Sequence, residues 1–340
     1  MALGDDPTFG TSSKIGRYFG IVSTIPSLVV AFWVYALLVL RPWAGPPSMD
    51  AIARYDPIAN LGQIIVVLAA ALALAVVSHP VQFVIVQMLE GHWGQSRAAR
   101  GFAAQRTLVH LRARSGASRI RNLALGAAKT RTHEPERETK YLAGTLFSDN
   151  SQLAEQIVRG LVDVRSAEMA LANYPSEVQY VLPTRLGNVL RRYEIGAGAS
   201  LGLDLIRWAS HLGMVAEPSH TAYVQDQRQA LDLAARMTAV GLLCSVLTVG
   251  AMWPHGLWVL LSLAPFGAAW LSYLGAISAA HSYGQAITAW LQLNRFALYD
   301  QLAVSRPKNS DEERELSKIL QLLVDGDRRY TQTYSDPAAS

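Results

Sequence analysis

Four polar residues in the middle of the chain have the types and the spacing of an anion-binding site. Arg185, Asn188 and Arg192 follow Thr184, a good helix cap, and their i, i+3, i+7 spacing places them on one helical face. A helix start with arginines nearby favours an anionic group such as a phosphate. Asp204 lies a short distance downstream and joins these candidates. The sequence therefore predicts a contact to lipid headgroups or to another anionic ligand. The alternative is a solvated face that packs against a neighbouring helix.

His79 is a second candidate, because it is a titratable side chain within a long apolar stretch. A titratable residue at membrane depth is a functional hypothesis by default. His79 could serve as a proton or ligand site beside the backbone carbonyl that Pro80 frees. The alternative is that His79 lies near the cytoplasmic end of a tilted helix and reaches the interface.

Other chemistry is not predicted. The glycine-rich stretch 196–202 follows a helix rather than a strand, which excludes the usual dinucleotide loop. The eight histidines form no His-x-x-x-His pair, and the single cysteine, Cys244, cannot form an intramolecular disulfide. We therefore expect no metal site and no cofactor, and the sequence indicates no catalytic residue.

Several short motifs resemble a group of uncharacterised bacterial membrane proteins. They are Leu-Pro-Thr-Arg-Leu-Gly-Asn at 182–188, Gly-Leu-Asp at 202–204 with Trp208 four residues on, Leu-Glu-Gly-His-Trp-Gly at 89–94, and Arg-Phe-Ala-Leu-Tyr at 295–299. The resemblance implies an integral membrane protein with four transmembrane helices. It implies no activity.

The hydropathy pattern predicts the same architecture independently. Only 16% of the 340 residues are charged and 51% are hydrophobic. Four stretches are long and apolar: Tyr18 to Leu40, Leu61 to Leu89, Met237 to Met252 and Leu257 to Ala280. A helix rises about 1.5 Å per residue, so about 20 residues cross the hydrocarbon of a bilayer. The third stretch is short, and helices 3 and 4 could instead form a re-entrant hairpin covered by protein.

The charge distribution predicts the orientation in the membrane. Residues 97–140 contain eleven Lys and Arg residues but only three glutamates. Hydrocarbon rejects such a segment, and the positive-inside rule places it in the cytoplasm. We expect a multi-pass protein of the bacterial inner (plasma) membrane with both termini cytoplasmic.

These elements define the predicted fold class and domains. The chain is expected to be all-α and polytopic, with a helical cytoplasmic domain between membrane helices 2 and 3. Residues 1–90 form the tail and helices 1 and 2, 91–236 the cytoplasmic domain, 237–280 helices 3 and 4, and 281–340 a cytoplasmic helix and tail.

The basic segment predicts anionic phospholipids as partners, because each cation near such a surface contributes about 1 kcal/mol. Nucleic acid is not predicted, since few aromatic residues interleave the cations for base stacking. The preferred hypothesis is a scaffold or a regulatory or signalling protein that binds protein partners. One alternative is an oligomeric channel, in which small residues such as Gly241, Gly250, Ala268 and Ala269 allow close helix packing. Another is a lipid-acting membrane enzyme that uses Arg185, Arg192 and Asp204.

Overall fold

The computed structural model describes residues 24–47, 61–78, 81–131 and 151–324. Within these ranges all regular secondary structure is helical and no strand is present, which confirms the all-α prediction. The α-helices, in chain order, are α1 (Ile25–Leu40), α2 (Leu61–Ser78), α3 (Val81–Glu90), α4 (Arg97–Arg131), α5 (Ser151–Leu171), α6 (Arg185–Gly196), α7 (Leu205–Val215), α8 (Pro218–Met252), α9 (Leu263–Gln301) and α10 (Ser310–Val324). Short 3-10 segments lie at Val178–Tyr180, Ala199–Leu201 and Trp253–Ser262.

The chain divides into two compact units. The first comprises residues 1–92, 210–305 and 335–340, and the second comprises 93–209 and 306–334. Residues 210–236 thus belong to the unit that holds the apolar helices, although the sequence places them in the cytoplasmic domain. The predicted domain boundaries stay predictions.

Helices α8 and α9 of the first unit form a long antiparallel hairpin. Near the turn, the Ser245 hydroxyl donates to the Ser262 carbonyl at 3.1 Å. At the other end, the Glu217 amide donates to Asn294 Oδ1 at 3.1 Å. Between these points the helices approach closely, since a Cβ added to Gly241 would lie 2.8 Å from both Ala269 Cβ and the Pro265 carbonyl oxygen. Glycine at 241 therefore sets the spacing of the hairpin.

The turn of the hairpin lies at His255 and Gly256. Both have non-helical backbone angles, and Gly256 has φ 58° and ψ −117°, a region that disfavours residues with a Cβ. The Pro42 carbonyl accepts a hydrogen bond from His255 Nε2, which holds the turn beside the end of α1. Helix α8 runs without interruption from its polar start at Pro218 through the third apolar stretch to Met252.

The prediction of four membrane-spanning helices is supported only in part. One helical run, Pro218–Gln301, is long and apolar enough to span a membrane by length and composition. This run contains both arms of the hairpin, which the 3-10 segment joins through the non-helical turn at His255 and Gly256. The described part of α1 has 16 residues, or about 24 Å, and is shorter than the 18 residues required of a candidate span. The apolar stretch Leu61–Val77 is also too short. Residues 18–23 of the predicted first span lie outside the described residues.

Small and hydroxyl-bearing side chains line much of the interior of the first unit, beside the buried Met252, Leu291 and Leu298, and many of its large apolar side chains are exposed. Cys244, Thr248 and Ala276 are at most 1% exposed, whereas Val246, Leu257 and Leu271 are 68–83% exposed. Helix α1 packs on the hairpin through the Trp33 indole, which donates to the Thr248 hydroxyl at 2.9 Å.

The second unit is built on the pairing of α4 with α5. Each helix buries small or polar residues, namely His110 and Ala117 on α4 and Ala167 on α5. Helix α10 packs against the turn at Gly202, whose φ is 71° and whose added Cβ would lie 3.3 Å from the Arg314 carbonyl oxygen. The segment after α5 leads through a 3-10 turn to α6.

Candidate anion-binding site

Helix α6 begins as its sequence predicts. Thr184 has extended backbone angles, and its hydroxyl accepts a hydrogen bond from the Gly187 amide at 3.0 Å. The predicted cap is therefore confirmed. It sets the position at which α6 begins, just before Arg185.

Asn188 is fully buried and its carboxamide binds the chain that precedes the helix. Oδ1 accepts from the Leu182 amide at 2.7 Å, while Nδ2 donates to the carbonyls of Leu182 and Thr184 at 2.8 and 2.7 Å. All of these contacts are internal to the protein. Asn188 therefore shapes the entry to α6, and its polar atoms point away from any external ligand.

Arg192 and its neighbour also bind the protein itself. The Arg192 guanidinium donates to the Ala172 carbonyl at the end of α5 and lies 5.5 Å from the Tyr193 ring centroid. Arg191 pairs with Glu194 at 3.1 Å and lies over the Tyr180 ring. These arginines attach α6 to the segment that precedes it.

Asp204 stabilises the start of α7. Its Oδ1 accepts from the Ile206 amide at 3.0 Å, and Oδ2 lies 3.2 Å from Arg207 Nε. This arrangement is typical of a helix N-cap, where a carboxylate satisfies a free amide of the first turn. Asp204 thus contacts α7, and none of these contacts connects it with Arg185, Asn188 or Arg192.

Arg185 remains as the exposed member of the predicted set, and the structure places it near two residues that the sequence did not indicate. It lies close enough to the buried His110 and to Tyr174 to perturb the pKa of both. His110 Nδ1 and the Tyr174 hydroxyl are 3.1 Å apart. Burial, then Arg106 and then Arg185 lower the pKa of His110, while the Pro183 backbone opposes them. Burial raises the pKa of Tyr174, against a smaller opposite effect of Arg185.

The signal that sequence reasoning missed is the spacing on α4. Arg106, His110 and Arg114 follow one another at i, i+4, i+8 and so share a helical face. Arg114 donates to the carbonyls of Pro175 and Ser176, which fixes the segment that carries Tyr174. Arg106 and Arg185 are exposed and have no ion-pair partner among the described residues. Two guanidinium groups that lack an ion-pair partner within the described ranges, beside an imidazole of lowered pKa, form a surface that attracts anions.

The excess of positive charge extends along the whole of α4. Its 35 residues contain nine Lys and Arg residues and no Asp or Glu. Four of its arginines, at positions 97, 100, 112 and 119, are exposed and have no ion-pair partner within the described ranges. We call the surface formed by α4 and Arg185 the basic surface.

His79, the intramembrane candidate, lies outside the described residues. Within the described ranges no group of three or more His, Cys, Asp or Glu residues is arranged to hold a metal ion.

No protein-family model, no curated protein and no solved structure matches the chain. The described residues thus define an all-helical protein with an apolar hairpin long enough to span a membrane and, in a separate unit, a strongly basic helix.

Proposed function

We propose that the chain is an integral membrane protein that holds a basic helical domain at the anionic cytoplasmic face of the inner membrane. There it serves as a scaffold or regulatory protein for protein partners. The observation that carries the proposal is α4, whose 35 residues contain nine cations and no carboxylate. Anionic lipid is the neighbour that satisfies such a helix beside a membrane.

The composition of the first unit supports the membrane part of this proposal. From position 237 to 294 the hairpin contains no Asp, Glu, Lys or Arg. Many of its large apolar side chains are exposed, while small and hydroxyl-bearing residues such as Gly241, Ser245 and Ala269 lie in the contacts between its helices. Helices pack in this way in lipid, where small residues permit close approach and no water drives large side chains inward. Four spans with cytoplasmic termini, in the manner of the bacterial family that the motifs resemble, remain part of the proposal.

The structure gives less support to the two alternative functions, an oligomeric channel and a lipid-acting enzyme. A channel built on small-residue contacts needs those residues at the surface, yet Gly241 and Ala269 pack against each other within the hairpin. Only Gly250 and Ala268 of that set are exposed. A lipid-acting enzyme needs Arg185, Arg192 and Asp204 at one reaction centre, and the contacts described above engage Arg192 and Asp204 elsewhere.

A labelling experiment tests the topology. Cys244 is replaced by alanine, and a single cysteine is introduced at the exposed Ser115 of α4. An impermeant maleimide should label this cysteine in broken cells and leave it unlabelled in intact cells. Labelling in intact cells would contradict the proposal.

Reconstitution tests the lipid dependence. The full chain is placed in phosphatidylcholine liposomes with and without phosphatidylglycerol, and energy transfer is measured from a dye at position 115 to a headgroup dye. Transfer should be higher in the anionic liposomes and should fall as salt is added, because salt screens exposed charges. Equal transfer in both liposomes would contradict the lipid-binding part.

The scaffold part is tested in cells. A photo-crosslinking residue is placed at Val162, which is exposed on α5. The proposal expects a discrete adduct with a second protein. The absence of any adduct at Val162 and at neighbouring exposed positions of α5 would contradict it.

A further inference from the structure

One side of α4 is apolar although it is exposed. Phe102, Val109 and Ile120 are 46–56% exposed, and they lie at i, i+7 and i+18, with Ala113 at i+11. Intervals of 7, 11 and 18 residues are close to two, three and five turns of an α-helix. These four residues therefore form a narrow strip parallel to the helix axis, which we call the apolar strip.

The apolar strip is bordered by cations. Arg106 lies next to it on one side, and Arg112 and Arg119 lie on the other. All three arginines are exposed and have no ion-pair partner in the described part of the chain. Trp93 lies just before the helix, and its ring centroid is 5.0 Å from that of Phe102. An aromatic pair at one end of an apolar strip is typical of the membrane interface.

We infer that α4 lies in the plane of an anionic bilayer surface, with the apolar strip inserted below the headgroups and the bordering arginines on the phosphates. This inference rests on the proposed function, and it adds that α4 enters the bilayer interface instead of merely lying near it. Helices with a cationic polar face and an apolar face that contains phenylalanine bind in this way. Long arginine side chains can keep their alkyl stems in the apolar layer while the guanidinium stays with the phosphates.

The charge of α4 is what selects this occupant over a second protein. Another protein or a second copy could cover an apolar strip, but it would have to neutralise cations on both sides. A second copy of α4 would bring nine further cations and no carboxylate. A bilayer that contains anionic lipid supplies both the apolar layer and the negative charge at the required separation.

Depth measurements by spin labelling test the inference on the full chain. In the Cys244→Ala background, single cysteines are placed at Val109 and at Ile120 and carry a spin label. The matched control is Ala104→Cys, since Ala104 is exposed and lies two residues, or about 200°, around the helix from Phe102. Collisions of each label with oxygen, which concentrates in lipid, are compared with those with a water-soluble nickel chelate.

In liposomes with phosphatidylglycerol, the labels at 109 and 120 should collide more with oxygen than with the chelate, and the label at 104 should show the reverse. In pure phosphatidylcholine the difference should shrink. The inference is overturned if all three labels are equally open to the chelate while energy transfer from position 115 remains high, because α4 is then adsorbed without insertion and the proposed function survives. Low transfer together with open labels would overturn both. Protection of 109 and 120 from both reagents, with spin–spin broadening, would show a second copy on the strip and would also overturn the inference.

Discussion

The Tyr174 hydroxyl and His110 Nδ1 lie 3.1 Å apart and join α4 to the segment that follows α5. Their rings are also in contact, with centroids 5.8 Å apart. Because burial and two neighbouring arginines lower the pKa of His110, the imidazole is neutral around pH 7 and can accept the tyrosine hydrogen bond at Nδ1. The contact thus depends on the protonation state of His110.

The first prediction concerns pH. The pKa of His110 is lower in the folded chain than its usual value of 6.5, so the unfolded chain binds more protons as the pH falls through that value. His110 therefore destabilises the second unit as the pH falls below about 6.5, and this loss of stability levels off once the pH is below the pKa of His110 in the folded chain.

His110→Gln should make the stability of this unit less dependent on pH between 7.5 and 5. Hydrogen exchange of α4 and α5 at several pH values measures this. His211→Gln, which changes a histidine outside the second unit, is the control, and an unchanged pH dependence in His110→Gln would contradict the prediction.

The second prediction concerns Asn188. Asn188→Ala removes three hydrogen bonds and leaves the partly buried amide and carbonyl of Leu182 without these partners, at a cost of up to about 1–3 kcal/mol per group. The midpoint of thermal unfolding in detergent should fall clearly. Asn122→Ala, at an exposed position of α4, should change stability by at most about 0.5 kcal/mol. Similar midpoints for the two variants would show that the Asn188 contacts contribute little.

The third prediction concerns the hairpin. Gly241→Ala places a Cβ 2.8 Å from two atoms of α9 and should cost about 1–3 kcal/mol. Gly250 lies on the same helix with nothing within 4 Å of an added Cβ, so Gly250→Ala should be neutral or should stabilise by up to about 1 kcal/mol. Thermal unfolding of both variants in one detergent compares them. Should Gly250→Ala prove the more damaging, Gly250 would have to pack against another chain, as the channel hypothesis requires.

The fourth prediction concerns the turn between α6 and α7. A Cβ on Gly198 would lie 2.1 Å from the Leu203 carbonyl oxygen, a backbone atom that cannot move without disturbing the turn. Gly198→Ala should therefore speed hydrogen exchange in α6 and α7. Gly196→Ala, two residues earlier and with open space around it, should leave exchange unchanged. Equal exchange in both variants would contradict the close contact at Leu203.

The sequence predicted the helices and the cap of α6 well because these depend on local pattern. Thr184 caps the helix as expected, and helix α8 continues from its polar start into its apolar part. The orientation of Asn188 was not predictable from its spacing. A polar residue three positions after an arginine is normally assigned to the solvent side, and only the path of the preceding chain reveals a buried carboxamide that binds Leu182.

The partners of Arg185 depend on tertiary structure in the same way. His110 and Tyr174 are 75 and 11 residues away from Arg185 in the sequence, and no local pattern brings them together. The regular spacing of Arg106, His110 and Arg114 was the available sign that this part of α4 faces a specific neighbour. The segment 177–182, which alternates like a strand, forms a 3-10 turn at Val178–Tyr180 instead, because a single strand has no partner to complete its hydrogen bonds.

The distribution of side chains in the first unit has a practical consequence for handling the protein. The first unit exposes large apolar side chains such as Val246, Leu257 and Leu271. In buffer without detergent or lipid, we therefore expect the isolated protein to aggregate. Detergent or lipid should therefore be present throughout purification. Dilution of the detergent below its critical micelle concentration should precipitate the protein.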